Sequence, residues 1–182
     1  IPQDVKEAIQ KGLEVPQTRL QLIRGNRANR SNYIAFVCDE TGLYSCQVES
    51  IQEWSHYDWT DFSSFSKYDQ DLTLICTHGS RDACCGTMGG KLYKGLIDNQ
   101  KHSPNIPTIW QTSHLGGHRF APTILQLPQS LISAFVEVED VLDQKSAVAP
   151  PIQKWRGCSF YSPAAQFADI HLRKQNITPL TC

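Results

Sequence analysis

Residues 71–118 constrain this chain more than any other stretch. Asp71-Leu-Thr-Leu-Ile-Cys76 is an apolar, partly β-branched run, and it predicts a buried strand that ends on a cysteine. It runs into Thr77-His-Gly-Ser-Arg-Asp-Ala-Cys84-Cys85-Gly86. Met88, Leu92, Leu96 and Ile97 then recur at helical spacing, with Lys91 and Lys94 on other faces. Further along comes Ser113-His114-Leu-Gly-Gly-His118-Arg119. Cys76 and Cys85 are thus separated by eight residues, and His114 and His118 by three. A strand ending on Cys76 and a helix opening after Cys85 can turn both thiols inward together. The helix N-terminus favours their negative charge. Gly79 and Gly86 give the loop freedom to wrap a ligand.

The rest of the chain reads as one α/β domain over residues 1–182, with a mixed central sheet flanked by helices. Val5, Ala8, Ile9 and Leu13 share a helical face within 4–14, and Pro16 stops that helix. Residues 20–24 predict a strand. Arg24, Arg27 and Arg30 read as a solvated turn. Residues 33–38 and 43–48 flank the turn Asp39-Glu-Thr-Gly42 as a hairpin that carries Cys38 and Cys46 as small buried hydrophobes. The aromatic-rich stretch 51–69 predicts an irregular connection packed onto the body. Strands are expected at 108–112, 120–127 and 131–138, with Pro122 implying an edge or a bulge. Residues 98–106 and 142–151 read as loops. Ser162-Pro163 opens a final helix, Ser as N-cap and Pro at its first position.

Two thiols and two imidazoles admit two metal answers. Zinc takes such a set in tetrahedral structural sites. A [2Fe–2S] cluster takes it with thiolates on one iron and imidazoles on the other. The cysteine spacing is longer than the two to four residues usual within a zinc pair, which leans toward the cluster. A helical His pair of the zinc-hydrolase kind does not suit Leu115-Gly116-Gly117. Two glycines there cost a helix roughly 2 kcal/mol, and no Glu follows the first His.

The motifs at 76–86 and 113–123, the latter running Ser-His-Leu-Gly-Gly-His-Arg-Phe-Ala-Pro-Thr, resemble the sucrase/ferredoxin-like family. Thr18-Arg-Leu-Gln-Leu-Ile-Arg24 and Trp155-Arg-Gly-Cys-Ser159 with Pro163-Ala-Ala-Gln166 extend the resemblance over nearly the whole chain, apart from 128–154. The resemblance implies a thioredoxin-like fold. It also implies a [2Fe–2S] cluster held by Cys76, Cys85, His114 and His118. In classical thioredoxin-like ferredoxins a Cys-x-x-x-Cys loop fills the slot that His114-x-x-x-His118 fills here. Cys84 becomes a neighbour able to substitute or to be oxidised. A family segment is expected to precede Ile1.

The expected function is one-electron transfer coupled to proton uptake, a carrier rather than a catalyst. Its partners would be a reductase donor and an acceptor, with a homodimer left open. The alternatives are a zinc-stabilised binding module and a thiol oxidoreductase using the vicinal cysteines. The latter lacks the Cys-x-x-Cys that such enzymes use. His78, Arg81, Asp82 and Arg119 flank the ligands and suit tuning of the site or docking of a partner. His56, His102 and His171 read as structural or surface residues, Cys158 as buried and Cys182 as a free terminal thiol. A net charge of −1 gives no footprint for nucleic acid. No apolar run approaches the ~20 residues that cross a bilayer. Seven cysteines, an odd number, point to thiols in a reducing, cytoplasmic setting.

Overall fold

The structure is a computed structural model that describes residues 1–16, 18–25, 32–100, 108–142 and 150–177. The chain forms two compact units. The first comprises Ile1–Leu20 and Asn26–Asp69, and the second Gln21–Gly25 and Gln70–Cys182.

In the first unit, helix α1 (Gln3–Gly12) buries Val5 and Gly12. The hairpin β2 (Tyr33–Asp39) and β3 (Gly42–Val48) pairs Asp39 with Gly42. Its turn is tied by the Asp39 carboxylate, which accepts from the Thr41 N–H at 2.8 Å. The stretch expected to be irregular carries a 3₁₀ turn, Ile51–His56, and a short strand β4 (Ser66–Lys67) that pairs with β3. Ser50 and Glu53 close a capping box at the turn's start. Trp54, Phe65, Val5 and Val48 form a core with Tyr57, Trp59 and Phe62 around it. Gly12 is required there, since a Cβ would lie 2.6 Å from Trp59 Cβ. Cys38 and Cys46 are half-buried rather than buried. The Cys46 sulfur lies 3.2 Å from the Tyr57 hydroxyl.

The second unit is built on a six-stranded mixed sheet whose strands lie in the order β1 (Ile23–Arg24), β6 (Thr108–Thr112), β5 (Leu72–Cys76), β7 (Ile124–Leu127), β8 (Leu131–Ser133) and β9 (Trp155–Cys158). Strand β5 (Leu72–Cys76) lies inside it with all five residues buried, which explains its unbroken apolar run. It pairs in parallel with β6 (Thr108–Thr112), and helix α2 (Gly90–Gln100) lies between the two in sequence. On its other side β5 pairs antiparallel with β7 (Ile124–Leu127), which forms a hairpin with β8 (Leu131–Ser133). That β-α-β followed by an antiparallel hairpin across the first strand is the thioredoxin-like arrangement. It is extended here by β1 (Ile23–Arg24) at one edge and β9 (Trp155–Cys158) at the other. Ile75, Leu92, Leu96, Ile109, Ile124, Val136 and Val141 form the core under α2. Helix α4 (Pro163–Lys174) follows β9, and Ser162 caps it by accepting from the Ala165 N–H at 3.3 Å.

Several expectations change here. The strand expected at 20–24 is paired only at Ile23–Arg24, where Arg24 donates to the Gln111 side chain at 3.0 Å rather than lying in a solvated turn. Arg27, Arg30, His102 and Cys182 lie outside the described residues. The strand expected at 120–127 begins only at Ile124. Pro122 precedes it after a cis peptide bond, and β7 is an interior strand rather than an edge. The run 131–138 divides into β8 and helix α3 (Val138–Leu142), because Phe135 takes a φ of 52°. Residues 98–100 belong to α2 and not to a loop.

Candidate metal centre

The end of β5 and the turn before α2 are pressed together by glycines. Cys85–Gly89 forms a π-helical turn, a distortion frequent at functional sites. A Cβ on Gly89 would collide with the Cys76 carbonyl oxygen, and one on Gly86 would lie 2.6 Å from Gly79 Cα. Gly79 and Gly86 have no positive φ, so what the sequence reads as loop freedom is close backbone contact. This contact sets Cys85 beside Cys76. Both are buried, at 0% and 1% exposure.

His114 completes the group. Its Nδ1 lies 3.6 Å from the Cys85 sulfur and 3.9 Å from the Cys76 sulfur. One ligand atom from each of the three residues falls within 4.8 Å of the others. Burial, and then the adjoining Cys76 thiol, push the Cys85 thiol up to about 12. A thiol raised in this way stays protonated unless a cation takes the place of its proton.

The loop from β6 brings His114 in. Gly116 and Gly117 have φ of 88° and 68°, so the two histidines stand on a tight turn and not on a helix. His78 holds this turn, its Nδ1 accepting the His114 backbone N–H at 3.3 Å. On the outer side, Ser113 donates its N–H to the Leu22 carbonyl at 2.8 Å and its hydroxyl to Gln21 at 2.9 Å. His118 is outside the close group. Its side chain is 49% exposed, and its Nδ1 lies 3.7 Å from the Asp82 carboxylate. Asp82 also accepts the Cys84 N–H at 2.8 Å. Burial raises the Asp82 carboxyl, but the Cys84 N–H and the His118 charge outweigh it and leave it below its ordinary value.

A family profile described as sucrase/ferredoxin-like matches residues 2–149. The chain belongs to the sucrase/ferredoxin-like family. Among curated relatives, altered inheritance of mitochondria protein 32 of Meyerozyma guilliermondii is 36% identical over 74 residues, 37% of this chain and 26% of the relative. The protein of the same name from Saccharomyces cerevisiae is 31% identical over 77 residues, 42% of this chain and 24% of the relative. The match therefore spans about a quarter of these relatives. A solved thioredoxin-like [2Fe-2S] ferredoxin from Aquifex aeolicus covers 50% of this chain and 93% of its own, at 12% identity and a TM-score of 0.42.

In this sucrase/ferredoxin-like chain the remaining sequence candidates separate by position. Cys84 is exposed and free, and it lies outside the close group. Arg81 and Arg119 are exposed, as are His56 and His171. Cys158 is buried as expected, but it is disulfide-bonded. Sequence reasoning missed Arg156. Its guanidinium sits over the Phe120 ring at 4.6 Å and blocks any Cβ on Gly117, which supports the histidine turn from below. The family-like Trp155-Arg-Gly-Cys segment was the available signal. Among the described residues, no helix is long and apolar enough to cross a membrane.

Proposed function

We propose that the sucrase/ferredoxin-like chain is an electron carrier that holds a [2Fe–2S] cluster through Cys76, Cys85, His114 and His118. The observation that supports it most is the convergence of two water-excluded thiols on the His114 Nδ1, at 3.9 and 3.6 Å. The donor set suits the group chemically: two soft thiols and an imidazole meet, and a second imidazole stands on the same turn. When bound, such a cluster takes up and releases one electron at a potential raised by its imidazole ligands.

The chain's own groups would divide the remaining work. Cys76 and Cys85 bind and keep water away. His114 presents Nδ1 to the site, so its Nε2 is the atom that carries the exchangeable proton. His118, with Asp82 toward its Nδ1, has Nε2 free to bind. Asp82 then orients that ring as carboxylates orient ligand histidines elsewhere. A reductase and an acceptor are the partners of this reading. The cytoplasm is its compartment, although the Cys158 disulfide is unusual there.

One observation favours a second reading, a zinc-stabilised module. A single tetrahedral ion with ordinary bonds to sulfur and nitrogen sets S···N at about 3.6 Å, close to the distances seen here. Iron, acid-labile sulfide and zinc measured on purified protein, with absorption and EPR spectra of the reduced form, decide between them. Stoichiometric iron and sulfide support the carrier, and stoichiometric zinc in a colourless protein defeats it. Replacing either His114 or His118 by Cys is expected to retain the cluster and lower its midpoint by on the order of 100 mV. The parent's potential should fall by up to about 59 mV per pH unit at alkaline pH. The variants should show a shallower slope, and potentiometric titration between mildly acidic and alkaline pH checks both effects.

A further inference from the structure

Among the described residues, three buried side-chain oxygens have no hydrogen-bond partner: Thr123 Oγ1, Gln126 Oε1 and Ser133 Oγ. A buried polar group left in this state keeps its full desolvation penalty, so each asks for a reason. Gln126 and Ser133 lie on the face that Ile124 presents to the α2 core. Ser133 is paired directly with Ile124, and Gln126 follows Ile124 at the two-residue period of a strand. Thr123 alternates to the opposite face.

Thr123 also stands opposite Cys76. The β5–β7 register pairs Ile75 with Ile124, and its next step brings Cys76 to Thr123. The Cys76 N–H donates to the Thr123 carbonyl at 3.0 Å. Directly opposed residues in an antiparallel pair project their side chains on one face, with Cβ atoms about 4.5–5.5 Å apart. Thr123 is 1% exposed, so water does not satisfy its hydroxyl. Valine would fill the same volume at this β-branched position without an orphan.

We propose that Thr123 is a positioning residue of the metal centre, and that its hydroxyl donates a hydrogen bond to the Cys76 sulfur when that sulfur is a metal-bound thiolate. This rests on Cys76 being a ligand, but not on which metal it binds. As placed, the hydroxyl makes no hydrogen bond to the Cys76 sulfur, and the bond forms by rotation of the two facing side chains when the sulfur becomes a stronger acceptor. A thiolate is such an acceptor. The bond would stabilise negative charge on sulfur and fix the direction of its lone pairs, and hydrogen bonds to sulfur are among the levers that set cluster potentials.

The test compares the parent with Thr123→Val and Thr123→Ser in three measurements. In the protein as purified, Thr123→Val should shift the one-electron equilibrium about tenfold toward the oxidised form, a fall of about 59 mV in midpoint. In apoprotein loaded with Co²⁺ alone, its thiolate-to-cobalt absorption band should move to lower energy. Thr123→Ser should follow the parent in both. The metal-free Thr123→Val protein should melt at or above the parent temperature, because an idle buried hydroxyl has gone. A purely structural threonine would instead make the metal-free protein less stable on substitution. An unchanged cobalt band in Thr123→Val, or a Ser variant that behaves like the Val variant, overturns the proposal. Iron-free purified protein defeats the [2Fe–2S] reading and leaves the cobalt measurement to decide on Thr123. If the purified protein holds no iron, failure of the apoprotein to take up Co²⁺ defeats the Thr123 proposal as well.

Discussion

Cys85→Ser is expected to abolish metal binding, whereas Cys84→Ser leaves it intact. Cys85 is fully buried, and its sulfur is the one nearer to the His114 Nδ1, at 3.6 Å. Cys84 is exposed, and it meets this region through its backbone N–H to Asp82. A serine hydroxyl does not ionise at neutral pH, so a serine at 85 removes an anionic donor from a site that has few. The loss should exceed the roughly 10–100-fold drop in affinity that follows mutation of an outer partner of a metal ligand. Metal content per chain after purification, with a titration of the metal-free form, measures it. Retention of full metal by Cys85→Ser together with loss in Cys84→Ser would reverse the choice between the two neighbouring thiols.

Gly89→Ala should be the most damaging single methyl group in the chain. The new Cβ is driven into the Cys76 carbonyl oxygen, an atom held in the sheet by its neighbours on both sides. The strand end and the π-helical turn must then separate. Overpacking of this kind costs about 1–3 kcal/mol and at times more, and a backbone partner that cannot rotate away puts this case at the upper end. At roughly 2–4 °C per kcal/mol for a chain of this length, the melting temperature should fall by about 10 °C. Gly90→Ala is the control. A Cβ there meets nothing within 4 Å and the residue is helical at φ −62°, so the substitution should raise the melting temperature or leave it unchanged. Equal melting of the two variants would mean that contact with Cys76 does not hold the centre together.

Local chemistry made some of this molecule readable without coordinates. The hairpin of β2 and β3 shows itself because its turn residues and its aromatic and β-branched strand formers lie within one short window. Ser162-Pro163 announces α4 for the same reason. Strand β5 is legible because burial on both faces leaves an unbroken apolar run. Elements fixed by distant partners were less legible. β1 is held by β6, far along the chain, and only two of its expected residues pair. β9 has no alternation to detect, with Gly157 and Cys158 buried in succession. Residues 134 and 135 look like strand by composition. Yet the Ala134 N–H goes to the Lys154 carbonyl at 2.7 Å and Phe135 turns to positive φ.

The centre divides in the same way. The residue types and spacings of Cys76, Cys85 and His114 raised the idea of a metal. Their approach depends on glycine contacts that spacing does not reveal. The outward turn of His118 toward Asp82 and the bracing by His78 are tertiary facts with no local signature, and Arg156 shows only through the family-like segment around it. Thr123 lies inside a motif visible in the sequence. Its significance comes only from the strand register and from the missing hydrogen-bond partner.

The edge strand β1 has a consequence for dissecting the chain. It is two residues long and belongs to the sheet of the second unit, while the sequence on both sides of it belongs to the first. A fragment begun at residue 70 would therefore leave β6 with a bare outer edge, open to pairing with another polypeptide. It would also remove Leu22 and Gln21, which grip Ser113 immediately before His114. The smallest piece fit for autonomous study of the centre must start upstream of Gln21. Its coding boundary is set by a hydrogen-bonded clasp and not by the first residue of the larger body.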